Sequence, residues 1–290
     1  MSISLSIEPA RFNLPAFDLD HDEREAMETW HDQTRVSRDA HGRRSRIVGR
    51  FLNDPATVKA SATLTPPTLG EAVIALARHI PAMPQLTEIL TSRRSTRREQ
   101  IAGAIDPDQI GALLALAAST TRVAKHNTIE CTFERRSYPS AGGLLPCEIY
   151  VCPATAGFEP RPYRYDARLH ALVDYGRPAG DFRSVELSGT CEAPPCAIVI
   201  TAVLDRVTRK YGPRGYRFAV LEAGHLGQNI VLAATALGLP SLVYGSYYDR
   251  ELEQWLGLDG LNQVVLSVVL VGQGAGAAAS SDVNFGGRQS

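Results

Sequence analysis

Residues 217–240 read R-F-A-V-L-E-A-G-H-L-G-Q-N-I-V-L-A-A-T-A-L-G-L-P, and the architecture is built around them. Ala and Leu dominate the run, and Gly238 with Pro240 just beyond it supplies a stop signal. One long helix is therefore predicted over Arg217 to Leu237. Gly224 and Gly227 each cost roughly 1 kcal/mol against Ala inside a helix. They point to close approach of another helix, hence to a packed or oligomeric interface. His225 between them reads as a satisfied core histidine rather than a ligand.

On either side of this helix the pattern is mixed. Ala197–Leu204 is a continuous apolar run of the kind found in central strands, and Glu148–Cys152, Arg164–Tyr165, Leu169–Val173, Leu242–Val243 and Val264–Val271 read as further strands. Helices are predicted over Leu86–Thr91 and Arg250–Leu256. A third is signalled by Asp106 as N-cap, Pro107 in the first turn and the stripe Ile110, Leu113, Leu114, Ala117. No regular βαβ alternation occurs, so the fold class is α+β. Residues 1 to about 80 read as an irregular leader with a short helix through Arg24–Trp30. Within it Arg35–Arg50 is basic and read as solvated surface rather than a docking segment, and Thr63–Leu69 is Thr/Pro-rich.

Composition narrows the function classes. The 290 residues suit one large domain or two modest ones. Hydrophobic residues at 44% and charged residues at 21% exclude a disordered or fibrous chain. A net charge of -1 gives no reason to expect a nucleic-acid partner. The strongly apolar stretch Val264–Val271 is far short of the ~20 residues of a membrane helix. The start M-S-I-S-L-S-I-E-P-A-R-F lacks the pattern of a signal peptide, so a cytoplasmic protein is expected. Five cysteines without a C-x-x-C indicate no metal site. Cys191 and Cys196, flanking E-A-P-P, are a candidate disulfide, with buried free thiols as the plainer reading.

Three motifs carry chemistry. S-R-R-S-T-R-R at 92–98 gathers guanidiniums and a hydroxyl that suit a phosphate, an exposed basic loop being the plain alternative. Y-P-S-A-G-G at 138–143 has the small residues that let backbone N–H groups approach a flat or anionic ligand; otherwise it is a tight turn into a strand. R-K-Y-G-P-R-G-Y-R-F at 209–218 sets Lys210 and Tyr211 side by side. Only three of the thirty basic residues are lysines, and Arg cannot give up its proton whereas Lys can, so Lys210 stands out. Either group needs its pKa lowered by about 3, some 4 kcal/mol, to act as a base near neutral pH. Neighbouring cations could supply this for Tyr211 and burial for Lys210. A charged helix terminus without catalytic meaning is the alternative.

In this order and spacing, the motifs resemble the nitroreductase-like flavoproteins, and more narrowly the SagB/McbC-type azoline dehydrogenases. R-R-S-T-R at 93–97, R-R-S-Y-P-S-A-G-G-L-L-P-C-E-I-Y-V at 135–151, K-Y-G-P-R-G-Y-R at 210–217 and E-A-G-H-L-G-Q-N-I-V-L-A-A-T-A-L-G-L at 222–239 carry the likeness, with Y-G-S-Y-Y-D, L-G-L-D and V-V-L-V-G closing it. It covers about residues 84–272. The resemblance implies a mixed, mainly antiparallel sheet flanked by helices, dimerising around long central helices, with FMN sites at the subunit interface. It divides the chain into a helical or irregular module at 1–80 for docking or dimer wrapping, an FMN-binding domain at 81–275 and a flexible tail at 276–290.

Carried over residue by residue, the resemblance gives Arg93, Arg94 and Ser95 to the FMN phosphate and Arg97 to the ribityl or pyrimidine end. Ser140, Ala141 and Gly142 would line the isoalloxazine, backbone at Tyr244, Gly245 and Ser246 would lie near its N5 and O4, and Lys210 and Tyr211 would be catalytic. The implied reaction oxidises thiazolines or oxazolines of a precursor peptide to thiazoles or oxazoles, Tyr211 taking the proton with help from Lys210. Implied partners are that peptide, a YcaO-type cyclodehydratase and a leader-peptide-binding subunit. One departure stands out: Gly272-Gln273-Gly274 offers no cation after the last strand, and the next is Arg288. The alternatives are a generic NAD(P)H-dependent nitro or quinone reductase and a non-catalytic subunit of a peptide-modifying complex.

Overall fold

In the computed structural model, residues 21–35, 38–62, 72–154, 157–186 and 196–274 are described. In chain order the elements are helices α1 (His21–Thr34), α2 (Arg38–Asn53) and α3 (Pro55–Ala62), strand β1 (Ala72–Ala75), helices α4 (Leu86–Ser92) and α5 (Pro107–Ala118), and strands β2 (Thr120–Lys125), β3 (Thr132–Arg136), β4 (Cys147–Cys152), β5 (Tyr163–Asp166), β6 (Ala171–Asp174) and β7 (Cys196–Val203). Helices α6 (Asp205–Tyr211) and α7 (Arg214–Ala236), strand β8 (Ser241–Tyr244), helix α8 (Asp249–Leu256) and strand β9 (Gln263–Val271) complete them.

Seven strands form one sheet in the order β1-β6-β5-β4-β7-β9-β8, each pairing antiparallel, and β2 and β3 form a separate hairpin. The α+β class and the mainly antiparallel sheet are as expected. Central β7 shows why its sequence is apolar without alternation. Cys196, Ile198 and Ile200 enter the core shared with Leu113 and Leu114 of α5 and Leu226 and Ile230 of α7. Ala197 and Val199 enter a second core with Leu252 and Leu256 of α8. A strand covered on both faces reads as a near-continuous apolar run, and the buried hydroxyl of Thr201 within it reaches the Glu148 carbonyl at 3.5 Å.

Local signals placed the helices well. Asp106 accepts from the Gln109 backbone N–H at 2.8 Å while the Gln109 side chain accepts from the Asp106 N–H at 3.0 Å, a reciprocal cap at the start of α5. Several expectations need correction. The supposedly irregular leader holds three helices, and β1 within it pairs with β6, so a boundary at residue 80 cuts through the sheet. The basic stretch at 35–50 lies largely in α2; Arg35, Arg46 and Arg50 are solvated as expected, but Ile47 and Val48 are half-buried, and Phe51 with Val58 of α3 joins a third core with Leu144, Val207 and Ala219. Gly224 opens to solvent and Gly227 makes only ordinary contact with Ile200, so among the described residues neither receives another helix. His225 is exposed rather than core. Cys191, Arg288 and the tail at 276–290 lie outside the described residues; Cys131, Cys147, Cys152 and Cys196 are free thiols.

Candidate active site

Lys210 and Tyr211 are the last residues of α6, where the chain turns sharply into α7. Gly212, at φ +60, closes α6 by donating its N–H to the Thr208 carbonyl at 2.7 Å. Gly215 lets the first turn of α7 lie on α6, since a Cβ there would meet the Thr208 nitrogen at 2.8 Å. The glycines of K-Y-G-P-R-G thus make the corner that presents the two titratable side chains.

What they face is the second motif. Ala141–Gly143 is a tight turn, with the Gly143 N–H donating to Ser140 O at 3.0 Å and the Leu145 N–H donating to Ser140 Oγ at 2.9 Å. Gly142 has φ +64, and a Cβ there would lie 2.6 Å from the Tyr211 hydroxyl and 2.9 Å from Lys210 Nζ. Two motifs that lie about seventy residues apart in the chain are therefore one constellation. The guanidinium of Arg135, from β3, packs on Gly143 in the same way.

The charges around the pair differ from the expectation. Burial pulls Lys210 below its ordinary value and pushes Tyr211 above its own. The nearby arginines are engaged elsewhere and leave the phenol unassisted. Arg209 pairs with Asp205 at 3.1 Å. Arg214 donates to Thr34 O at 3.0 Å and lies over the Phe218 ring, while Arg217 donates to His31 O and Thr34 Oγ1 and lies over Trp30. These arginines tie α1 to α7. Tyr211 packs edge-on against Phe218 with ring centroids 5.0 Å apart, and Lys210 Nζ lies 5.4 Å from the Phe51 ring centroid. Lys210, not Tyr211, is the group biased toward its base form.

Glu222 was missed in the sequence. It is 1% exposed on α7, accepts from the Cys147 backbone N–H at 3.4 Å and adjoins the Ser140 hydroxyl. Burial pushes its carboxyl up to about 7. An acidic residue in an otherwise apolar helical stretch was the available signal, and only the fold reveals that it stands beneath the turn.

The remaining candidates form a second cluster at the β8 edge of the sheet. The Thr96 N–H donates to Ser241 O at 3.0 Å, so the arginine loop runs beside the start of β8. Arg93 Nη1 reaches Ser95 Oγ at 3.5 Å, and the exposed Arg97 side chain engages no partner among the described residues. Both guanidiniums keep donors for a phosphate. Arg94 differs: its Nη1 donates to Thr91 O at 2.8 Å and Arg93 O at 2.9 Å, covering the end of α4. The Tyr244 ring is buried against Phe182, with Arg98 above it, while Gly245 and Ser246 are exposed. After β9, Gln273 stands where a cation was sought, its amide donating to Gln109 Oε1 at 2.6 Å. The cavities opening at the Ser140–Gly143 turn are lined by no residue of this second cluster.

The model of the family described as "Nitroreductase family" matches residues 90–273. A Methanocaldococcus jannaschii protein described as a nitroreductase is 31% identical over 179 residues, covering 59% of this chain and 84% of that protein. The microcin B17-processing protein McbC of Escherichia coli is 33% identical over 135 residues, 43% of this chain and 49% of McbC. The trifolitoxin-processing protein TfxB of Rhizobium leguminosarum is 31% identical over 169 residues, 53% of this chain and 43% of TfxB. The chain thus spans less than half the length of either processing protein. Among solved structures, a Ralstonia eutropha protein described as a nitroreductase superposes with TM-score 0.58 at 25% identity, over 74% of this chain and 96% of that one. A chain of the E. coli microcin synthetase McbBCD complex with truncated pro-MccB17 bound shares the fold, with TM-score 0.51 at 21% identity over 85% of this chain and 91% of that one.

Proposed function

Because the chain belongs to the nitroreductase family, we propose that it is an FMN-dependent dehydrogenase that converts peptide thiazolines or oxazolines to thiazoles or oxazoles during synthesis of a ribosomally made, modified peptide. The observation that carries this reading is the constellation of Lys210 and Tyr211 against Gly142. A reductase of nitro compounds or quinones takes its protons from solvent and has no use for a desolvated lysine and a phenol at such a turn. The likeness to two peptide-processing proteins supports the narrower reading.

The donor set suits FMN. Arg93, Ser95 and Arg97 would hold its phosphate and sugar end, with Arg94 acting mainly as a helix cap. The turn at Ser140, Ala141 and Gly142 would line the flat ring, and backbone at Tyr244–Ser246 would offer polar groups to its edge. The chemistry that FMN supplies when bound is hydride acceptance, with O2 restoring it. The cavities at the Gly142 turn are lined by no residue of the arginine loop or of Tyr244–Ser246, which suits a site shared between two copies. The outer face of α7, with Val220 42% and Leu221 53% exposed beside Gly224 and His225, is the surface we assign to that homodimer.

Aromatisation removes a proton from the ring α-carbon and a hydride from its neighbouring carbon, leaving a double bond between them. Lys210, lowered by burial, takes the proton; Tyr211, raised by burial, keeps its own and orients the ring by donating a hydrogen bond. A loose peptide needs help with positioning, so we assign the chain to a cytoplasmic assembly with a YcaO-type cyclodehydratase and a leader-peptide-binding subunit. Lys210→Ala should leave the protein yellow with flavin yet unable to aromatise azolines, and Tyr211→Phe should leave it yellow and slow. Full activity in both would remove the pair from the mechanism. Rapid bleaching by NAD(P)H with steady turnover would favour the generic reductase instead.

A further inference from the structure

A cavity of about 250 Å³ opens between the N-terminal helices and the β2–β3 hairpin. Four separate parts of the chain line it: Phe51, Leu52 and Val58 of α2 and α3; the hairpin, including Lys125, Phe133 and Arg135; the Gly142 turn; and Lys210 of α6. The aromatic rings and Val58 make it apolar, Lys125 and Arg135 make it cationic, and among the described residues no Asp or Glu lines it. Its volume lies below the roughly 300–1,000 Å³ of drug-sized ligand sites. It therefore has room for a small ring and the residue beside it, not for a folded partner. Arg135 and Gly142 also line the second cavity, of about 480 Å³, which contains Pro139 and Ser140. The turn thus separates two chambers, and Lys210 belongs to the first.

We infer that this first cavity receives the heterocycle-bearing segment of the peptide, and that its cationic lining selects segments with a carboxylate beside the ring over those with Lys or Arg there. The inference rests on the function proposed for Lys210 and Tyr211, and adds a substrate class and a role for α2 and α3. The aromatic walls accept a planar five-membered ring. The unopposed positive charge stabilises a neighbouring carboxylate and opposes a second cation in a partly desolvated space.

The test uses the full chain loaded with FMN and three synthetic peptides that carry one thiazoline followed by Asp, Gly or Lys. The expected order of kcat/KM is Asp over Gly over Lys, with about fivefold at each step, the scale of one partly screened charge pair. Lys125 is exposed, so Lys125→Glu should fold normally and bring the Asp and Lys peptides together or invert them. Leu52→Trp, at a half-exposed lining position, should raise KM for all three without changing flavin content. Equal turnover of the three peptides, or an order unmoved by Lys125→Glu, would overturn the inference while leaving the dehydrogenase reading intact. Failure of the flavin-loaded wild type to oxidise any of them would instead sink the function on which the inference rests.

Discussion

The phenol of Tyr211 rests against the bare Cα of Gly142, so closely that a Cβ there would lie 2.6 Å from the hydroxyl oxygen. The contact joins the end of a short helix to a tight turn and leaves no room for a side chain between them. Because Gly142 also has φ +64, both its backbone and its surroundings require glycine.

Gly142→Ala should therefore destabilise by about 1–2 kcal/mol from the left-handed backbone alone. It should also push the Lys210 and Tyr211 side chains out of place. Azoline oxidation is expected to fall by more than an order of magnitude in a protein that still melts cooperatively. An alanine variant with wild-type turnover would show that the close approach is incidental.

Burial lowers Lys210, so the rate of azoline oxidation should rise with pH through a midpoint below the ordinary lysine value of 10.5. Lys210→Arg keeps the charge but cannot release a proton, and should be both slow and flat across that range. Tyr211→Phe should be slow yet retain the inflection. Persistence of the inflection in Lys210→Arg would assign it to another group.

Glu222 carries a signature in stability. Its carboxyl, ordinarily at 4.5, is pushed up to about 7 in the folded chain. Between those values the native state binds more protons than the unfolded state, so stability falls as pH rises through the window. The whole effect is on the order of 3 kcal/mol. Glu222→Gln removes this loss. Urea unfolding of both proteins at pH 5 and pH 8 should show the glutamine variant gaining relative stability at the higher pH; a constant difference would mean that the carboxyl is already ionised at pH 5.

Arg98 and Glu186 form a bidentate pair, Nε to Oε1 at 2.6 Å and Nη2 to Oε2 at 2.9 Å, with side chains 8% and 0% exposed. Breaking one side leaves a buried charge facing a neutral partner. Glu186→Gln should therefore cost about 3–5 kcal/mol in chemical unfolding, while Arg98→Met combined with Glu186→Leu should cost much less. Equal losses in the single and double variants would show that packing, not charge, holds the pair.

The regular elements were readable because their signals are local. A reciprocal cap such as Asp106 with Gln109, or a stop such as Gly238, acts over a few residues and is written in them. The β2–β3 hairpin escaped notice because it stands apart from the main sheet, and its polar strand T-T-R-V-A-K is mostly exposed. Strand β1 was hidden because a four-residue stretch becomes a strand only once β6 lies beside it. The helices of the N-terminal segment owe their burial to α6 and α7, which arrive more than a hundred residues later.

The amino-acid order alone sufficed for the α+β class, the long helix, the buried strand β7 and the identity of the motifs. Periodicity, capping and a continuous apolar run need no distant partner to be recognised. Tertiary packing alone joins Gly142 to Lys210 and Tyr211, lowers the lysine and raises the phenol, and turns Glu222 inward beneath Ser140. Proximity and desolvation arise between residues remote in the chain, so they exist only once the corner between α6 and α7 has closed on the turn.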